Sequence, residues 1–235
     1  MESFSHEHQD IFAQIMNPDG GYFLDVACGH PQIGSNTYQL ERRGWRGWCV
    51  DLRDCDSLGW SQYRTQPWHR FDATSDDFGN WVMDTVTEPI SYLSLDVDSA
   101  GRNLALPALK QILKTNQIIY TATVEHEAYI HGTAIRDQIR EQMEARGLQI
   151  MFGDVRLLGH KEGFEDWWAH PTIMPNPDFR MDGLTYPEAI AWLKDQFGIN
   201  PKIRHHCSRA RPNEYDLFWD EQEKQNLEEI FSQSR

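Results

Sequence analysis

The fold is decided by the stretch Tyr22-Phe23-Leu24-Asp25-Val26-Ala27 and the loop that follows it, Cys28-Gly29-His30-Pro31-Gln32-Ile33-Gly34-Ser35-Asn36. The apolar run predicts a buried strand, and the loop predicts a turn into a helix from about residue 36 to residue 43. Gly29 and Gly34 let the backbone approach a ligand, because glycine has no Cβ. The loop lacks the G-x-G-x-x-G spacing of dinucleotide-binding proteins, so by itself it is also compatible with an ordinary strand-to-helix turn.

The same strand-then-helix pattern recurs on the C-terminal side of this loop. Further strands are predicted at Trp48 to Asp51, Trp68 to Phe71, Ile90 to Asp96 and Ile118 to Val124. Leu148 to Phe152 and Val155 to Leu158 predict a hairpin that turns at Gly153-Asp154. Helices are predicted at Thr133 to Ala145, Tyr186 to Gln196 and Glu214 to Phe231. This alternation predicts an α/β fold with a doubly wound, mostly parallel seven-stranded sheet and C-terminal helical decoration.

Length and charge narrow the class of protein. The 235 residues fit a single domain, with a core of about residues 5 to 171 and an extension of about 172 to 235. A net charge of −14 argues against an extended nucleic-acid surface. The chain shows no apolar run typical of a signal peptide or a membrane span, so a cytoplasmic protein without a membrane partner is expected. A basic segment could still attract an anionic acceptor; it contains Lys202, Arg204, Arg209 and Arg211.

Several candidate binding residues follow predicted strands, and ligands of parallel sheets bind at the carboxyl ends of strands. Asp51 is placed to accept hydrogen bonds from ribose hydroxyls, and Asp72 from an adenine amino group. The remaining candidates for holding a nucleotide-type cofactor are Asp25, Gly29, Ser35, Asn36 and Asp96. The alternative for each aspartate is a solvated residue at the end of a strand.

A second group of candidates follows the fourth and fifth predicted strands. Asp96 and Asp98 alternate along an extended segment, so both side chains point the same way. His126 follows the fifth strand and is a candidate general base, because imidazole titrates near neutral pH. The three side chains could bind a divalent cation such as Mg²⁺ or Mn²⁺, or form a metal-free hydrogen-bonded pair of aspartate and histidine.

Taken together, these motifs resemble the FkbM-type methyltransferases over about residues 5 to 171. The resemblance is carried by the segments Ser5 to Phe12, Phe23 to Gly29, Ser35 to Tyr38, Leu40 to Asp51, Tyr92 to Asp98, Glu125-His126 and Phe164 to Trp168. It implies a class I methyltransferase (Rossmann-like) fold and S-adenosylmethionine as the methyl donor. It further implies transfer to an oxygen of a small molecule or sugar. The chain departs from the family at Cys28-Gly29-His30-Pro31 and at Asp51-Leu52.

Two other functions are compatible with the same residues. A nucleotide-cofactor oxidoreductase would use Asp25 and Asp51 in the same way, although the missing G-x-G-x-x-G spacing argues against it. The other alternative is a non-catalytic protein that binds S-adenosylmethionine. The sequence does not indicate the oligomeric state.

Overall fold

The computed structural model describes residues 1–99, 101–200 and 202–206. Within them, one large sheet contains eight strands, which we number in chain order: β1 Tyr22–Val26, β2 Arg46–Asp51, β3 Trp68–Arg70, β4 Ile90–Leu95, β5 Ile119–Glu125, β6 Gln149–Val155, β7 Glu165–Ala169 and β8 Met181–Asp182. The helices are α1 Gln9–Met16, α2 Tyr38–Arg42, α3 Trp60–Tyr63, α4 Asp76–Thr85, α5 Ala105–Ile112, α6 Ala128–His131, α7 Thr133–Ala145 and α8 Tyr186–Gln196. Short 3₁₀ turns occupy Asp56–Leu58 and Pro171–Ile173.

The order of strands across the sheet is β8-β6-β7-β5-β4-β1-β2-β3. β7 runs antiparallel to both β5 and β6, whereas the other pairings in this sheet are parallel. This is the α/β arrangement expected of a class I methyltransferase fold, with β8 as an additional two-residue strand at one edge. The strand order reverses between β1 and β4, which is where open α/β sheets bind ligands.

Helices cover both faces of the sheet, because strand side chains alternate between the faces and both sets are largely apolar. On one face, Leu24, Leu93 and Ala122 pack with residues of α4, α5 and α7. On the other face, Phe12 of α1 packs against Trp167 of β7. None of the helices among the described residues is long and apolar enough to cross a bilayer.

The predicted hairpin at Gly153-Asp154 is wrong. Residues 149–155 form one continuous strand, β6, and the antiparallel partner is β7, reached through the loop of residues 156–164. Gly153 lies under the Asp182 side chain: a Cβ at residue 153 would lie 2.0 Å from Asp182 Oδ1 and would require that carboxylate to shift. The predicted helices Thr133–Ala145 and Tyr186–Gln196 are confirmed. The predicted helix from Glu214 to Phe231 lies outside the described residues.

A partly buried ion-pair network, with the fully buried Asp166 at its centre, joins β6, β7 and α7. Arg140 of α7 donates from Nε to Asp166 Oδ2 at 2.8 Å and from Nη2 to Asp166 Oδ1 at 2.7 Å. Arg140 and Arg136 also contact Asp154 at 3.0 Å and 2.9 Å. Burial acts to raise the pKa of Asp166, but hydrogen bonds from Arg140 and the adjacent His126 outweigh it and lower that pKa. The antiparallel β7 is therefore fastened to α7 by charge as well as by apolar packing.

We expect Arg140→Met to lower the free energy of unfolding by about 3–5 kcal/mol, because it leaves the Asp166 carboxylate buried without its partner. The matched control is Arg180→Met, which removes the exposed pair that Arg180 forms with Asp182 at 3.0 Å and should cost less than about 1 kcal/mol. Urea denaturation of both variants measures the difference. Equal destabilisation would show that the buried network does not stabilise the fold.

Candidate functional site

The loop of residues 28–37 follows the carboxyl end of β1, and Asp25 of that strand stabilises it through a hydrogen bond with Thr37. Thr37 Oγ1 donates to Asp25 Oδ2 at 2.5 Å, and burial raises the pKa of this aspartate. Ser35 Oγ accepts from the backbone N–H groups of Thr37 and Tyr38, at 3.4 Å and 3.1 Å, and so stabilises the start of α2. Of the predicted cofactor residues, Asp25 and Ser35 are buried and engaged in building this loop.

Asp51 lies at the end of β2, beside the same loop. Its Oδ2 accepts from the backbone N–H of Gly29 at 2.9 Å, and its Oδ1 accepts from the backbone N–H of Arg53 at 2.8 Å. The Arg53 side chain also donates to Asp51, from Nε and Nη2 at 3.2 Å each, and it is 68% exposed. Burial acts to raise the pKa of Asp51, but the hydrogen bonds from Arg53 and Gly29 outweigh it and lower that pKa, favouring a carboxylate. The structure therefore brings the predicted residues Gly29 and Asp51 together.

Asp72 follows β3 and is exposed. Its Oδ1 accepts from the N–H and the hydroxyl of Thr74, at 2.9 Å and 2.7 Å. It lies at the same carboxyl edge of the sheet as Asp51, because β2 and β3 are parallel neighbours. Leu52 lies between these two strand ends in the chain and is 58% exposed.

A small polar pocket of about 20 Å³ lies beside the point where the strand order reverses. Asn36 lines it and donates from Nδ2 to Ser94 Oγ at 3.0 Å, which ties the loop of residues 28–37 to β4. A Cβ on Gly34 would lie 2.3 Å from His6 Nε2, so the glycine allows the N-terminal segment to form one wall. The full lining is His6, Glu7, Gln9, Gly34, Asn36, Leu95, Asp96, Thr123, Glu125 and Glu165.

The structure does not assemble the predicted trio of Asp96, Asp98 and His126. Asp96 lines the pocket, Asp98 is exposed in a two-residue strand, and His126 is fully buried on another side of β5. The reason is the alternation of side chains along β5: Thr123 and Glu125 face the pocket, so the next residue turns away from it. His126 instead places Nε2 at 3.5 Å from Asp166 Oδ1, and its Nδ1 accepts from Ala128 N–H at 3.2 Å.

Two other groups among the described residues place potential metal ligands within 4.8 Å of one another; they are Cys28-Asp51-Cys55 and His126-Asp154-Asp166. In both groups the carboxylates are already paired with arginine side chains, from Arg53 in the first and Arg140 in the second. A bound cation would have to displace these guanidinium groups. The predicted Mg²⁺ or Mn²⁺ ion thus gains no support from the geometry.

The sequence predicts Asp96 in the acidic wall of the pocket but does not predict Glu165. Glu165 Oε1 accepts from Trp167 Nε1 at 2.6 Å, and Gln9 Nε2 approaches Oε2 at 3.4 Å. Burial, and then the carboxyls of Glu7 and Asp96, raise the pKa of Glu165 well above its usual range, and these hydrogen bonds oppose the effect. Glu165 lies in the antiparallel strand β7, opposite Glu125. The sequence could have indicated Glu165 only if β7 had been predicted, and it was not.

Comparisons with solved structures find distant likenesses to methyltransferases. A TehB-like SAM-dependent methyltransferase from Corynebacterium glutamicum is 17% identical, with a TM-score of 0.45 over 69% of this chain and 86% of that one. A DNMT2 mutant from Spodoptera frugiperda is 12% identical, with a TM-score of 0.45 over 70% of this chain and 55% of that one. Human methyltransferase-like protein 13, in complex with SAH, is 13% identical, with a TM-score of 0.48 over 83% of this chain and 94% of that one.

No protein-family model matches the chain, and no curated protein matches it. The resemblance to the FkbM-type family is therefore not confirmed. Since the three structural likenesses are distant, the fold assignment rests on the strand order of the sheet itself.

We expect the stability of the protein to fall as pH rises, in part because of Glu165. Its pKa in the folded protein lies above its unfolded value of about 4.3, so the folded state retains a proton that the unfolded state releases. Glutamine cannot ionise, so the stability of the Glu165→Gln variant relative to the wild type should increase from pH 5 to pH 8. Urea midpoints at both pH values measure the change. Glu144→Gln, an exposed change on α7, is the control, and an equal response of the two variants would contradict the assignment.

Proposed function

We propose that this protein is an S-adenosylmethionine-dependent methyltransferase that methylates an oxygen of a small molecule or sugar. The observation that carries the proposal is the placement of Gly29 and Asp51 beside the reversal of strand order, next to a polar pocket at the ends of β4 and β5. We also propose that the protein is a member of the FkbM-type methyltransferases, which its sequence motifs resemble. S-adenosylmethionine supplies an electrophilic methyl group on a sulfonium centre.

The donor would lie across the carboxyl ends of β1, β2 and β3. The Asp51 carboxylate would accept from the ribose hydroxyls once the exposed Arg53 side chain moves aside. Asp72 would face the adenine amino group, and the exposed side chain of Leu52 offers an apolar contact for the ring. Asn36 and the loop around Gly34 would border the methionine end, because both line the pocket.

The acceptor would approach the pocket on the side of Asp96 and Glu125 and present its oxygen to them. Methyl transfer needs alignment of the acceptor oxygen with the methyl group and removal of its proton. Asp96 is proposed as the group that takes this proton, since it lines the pocket at the end of β4. His126, the base proposed from sequence, lies behind the pocket and would support the position of β7 through Asp166.

The acidic lining favours a neutral or cationic acceptor over an anionic one, because Asp96 and Glu125 both line the pocket. The anionic acceptor proposed from the basic segment would require Arg209 and Arg211, which lie outside the described residues. Lys202 and Arg204 are described, and Arg204 pairs with Glu2 in a two-residue parallel strand pair. An anionic acceptor is thus the weaker form of the proposal.

We expect Asp51→Asn to weaken the binding of S-adenosylhomocysteine at least about tenfold, because charge-assisted hydrogen bonds contribute about 1.5–3 kcal/mol each. Asp54→Asn, an exposed change three residues away, is the matched control and should bind as the wild type does. Isothermal titration calorimetry measures both, with NAD as a second ligand. Binding of NAD in place of S-adenosylhomocysteine would favour the oxidoreductase alternative instead.

We expect Asp96→Asn to lower kcat about 10²–10⁴-fold while the affinity for S-adenosylhomocysteine changes little. The assay is formation of S-adenosylhomocysteine with a panel of hydroxyl compounds and sugars. Activity should persist in a chelator, because no metal takes part in the proposed transfer. Collapse in chelator with recovery in Mg²⁺ would restore the metal hypothesis, and an unchanged kcat would remove Asp96 as the base.

A further inference from the structure

Arg64 is a buried cation directly behind the loop of residues 28–37. It follows α3 and is only 4% exposed. Its guanidinium lies 4.9 Å from the ring centroid of Trp60 and 5.9 Å from that of Phe23, so its planar face is covered by aromatic side chains. A charge this deeply buried is stable only when its hydrogen-bonding groups are satisfied.

The five N–H groups of the guanidinium have five acceptors. Nε donates to Glu41 Oε2 at 2.5 Å; Nη1 donates to Pro31 O at 3.3 Å and Ser35 Oγ at 3.2 Å; Nη2 donates to Thr37 Oγ1 at 3.1 Å and Cys49 Sγ at 3.3 Å. These acceptors come from the loop of residues 28–37, from α2 and from β2. One side chain therefore links the three pieces of chain that surround the proposed donor site.

Three of the five acceptors belong to the loop itself. Thr37 continues the chain of contacts to Asp25, through its hydroxyl hydrogen bond of 2.5 Å. The loop needs such a support, because Gly29 and Gly34 adopt φ angles of 62° and 69° and glycine has more backbone freedom than other residues. The guanidinium restrains this freedom at Pro31, at Ser35 and at Thr37.

We propose that Arg64 is a positioning residue for the methyl donor: its five hydrogen bonds hold the loop of residues 28–37 in the conformation that presents Gly29 and Asn36 to the donor. This inference rests on the proposed function for the identity of the ligand. It explains the use of arginine, because an ammonium group has three donors on one centre and cannot reach five acceptors arranged around a planar fork. Arg64 need not touch the donor for this role.

The decisive variant is Arg64→Lys, which keeps the charge and loses the fork. The matched control is Arg42→Lys; Arg42 lies on the exposed side of α2 and donates to Tyr38 Oη at 3.2 Å. We expect Arg64→Lys to weaken S-adenosylhomocysteine binding about tenfold or more, because a loop that is competent only about a tenth of the time lowers the apparent affinity by that factor. The control should bind with unchanged affinity.

Hydrogen exchange followed by mass spectrometry separates positioning from a general loss of stability. In Arg64→Lys, amides of residues 29–37 should exchange faster while those of β1 and β4 keep their protection, and saturating S-adenosylhomocysteine should restore the loop. Faster exchange throughout the sheet, in parallel with the lost affinity, would overturn the inference. So would wild-type affinity in the variant.

Thr37→Val provides a second test if Arg64→Lys does not fold. It removes the hydroxyl between Arg64 and Asp25 and should produce a smaller loss of affinity with the same local exchange at residues 29–37. Binding of S-adenosylhomocysteine by the wild-type protein distinguishes failure of this inference from failure of the proposed function. If the wild type does not bind S-adenosylhomocysteine, the proposed function fails, whereas the exchange of the loop in Arg64→Lys still decides whether Arg64 positions it.

Discussion

The reversal of strand order beside β1 is the constraint on which the rest of the site depends. The chain leaves β1 toward α2 on one face of the sheet, and it leaves β4 toward α5 on the other face. The two connections diverge, and their divergence leaves a crevice at the carboxyl edge that is lined by Leu95 and by polar side chains. The first loop borders this crevice with backbone from Gly29 and Gly34, while β4 and β5 border it with carboxyl groups.

The alternation of side chains along each strand then decides which residues enter the crevice. Thr123 and Glu125 point into the pocket, and His126 points toward Asp166 in the layer of α7. A shift of one residue along β5 would exchange these roles, so a site inferred from strand ends is only as accurate as the register assigned to them. The polar side chains consequently form two groups. Carboxyl groups line the pocket, and Arg140 forms ion pairs with Asp154 and Asp166 on the other side of the strands.

The sequence predicted the parts of the molecule that depend on local pattern. Strands β1 to β5 and the helix Thr133–Ala145 follow from apolar periodicity, and the meeting of Gly29 with Asp51 follows from the parallel arrangement of β1 and β2. The predictions failed where contacts between distant parts of the chain determine the structure. The sequence predicts a turn at Gly153, which instead lies inside a continuous strand. The strand that does return, Glu165–Ala169, does not resemble one in sequence because it contains two acidic residues and two tryptophans.

Arg64 shows the same limit for the candidate site. It lies in a short polar segment without any motif, and its five acceptors come from residues between positions 31 and 49 that no spacing connects to it. Only the folded chain brings them together. Glu165 likewise acquires its significance from Gln9 and Glu7, which lie more than 150 positions away in the chain.

The short strand β8 also affects how much of the sheet edge is open to other molecules. β6 would otherwise be the outermost strand of the large sheet, and an uncovered edge offers its peptide groups to the strands of other molecules. The two-residue β8 occupies part of that edge, at Phe152 and Gly153, and the Asp182 side chain lies over Gly153. This short strand thus reduces the length of the β6 edge that is open to edge-to-edge pairing.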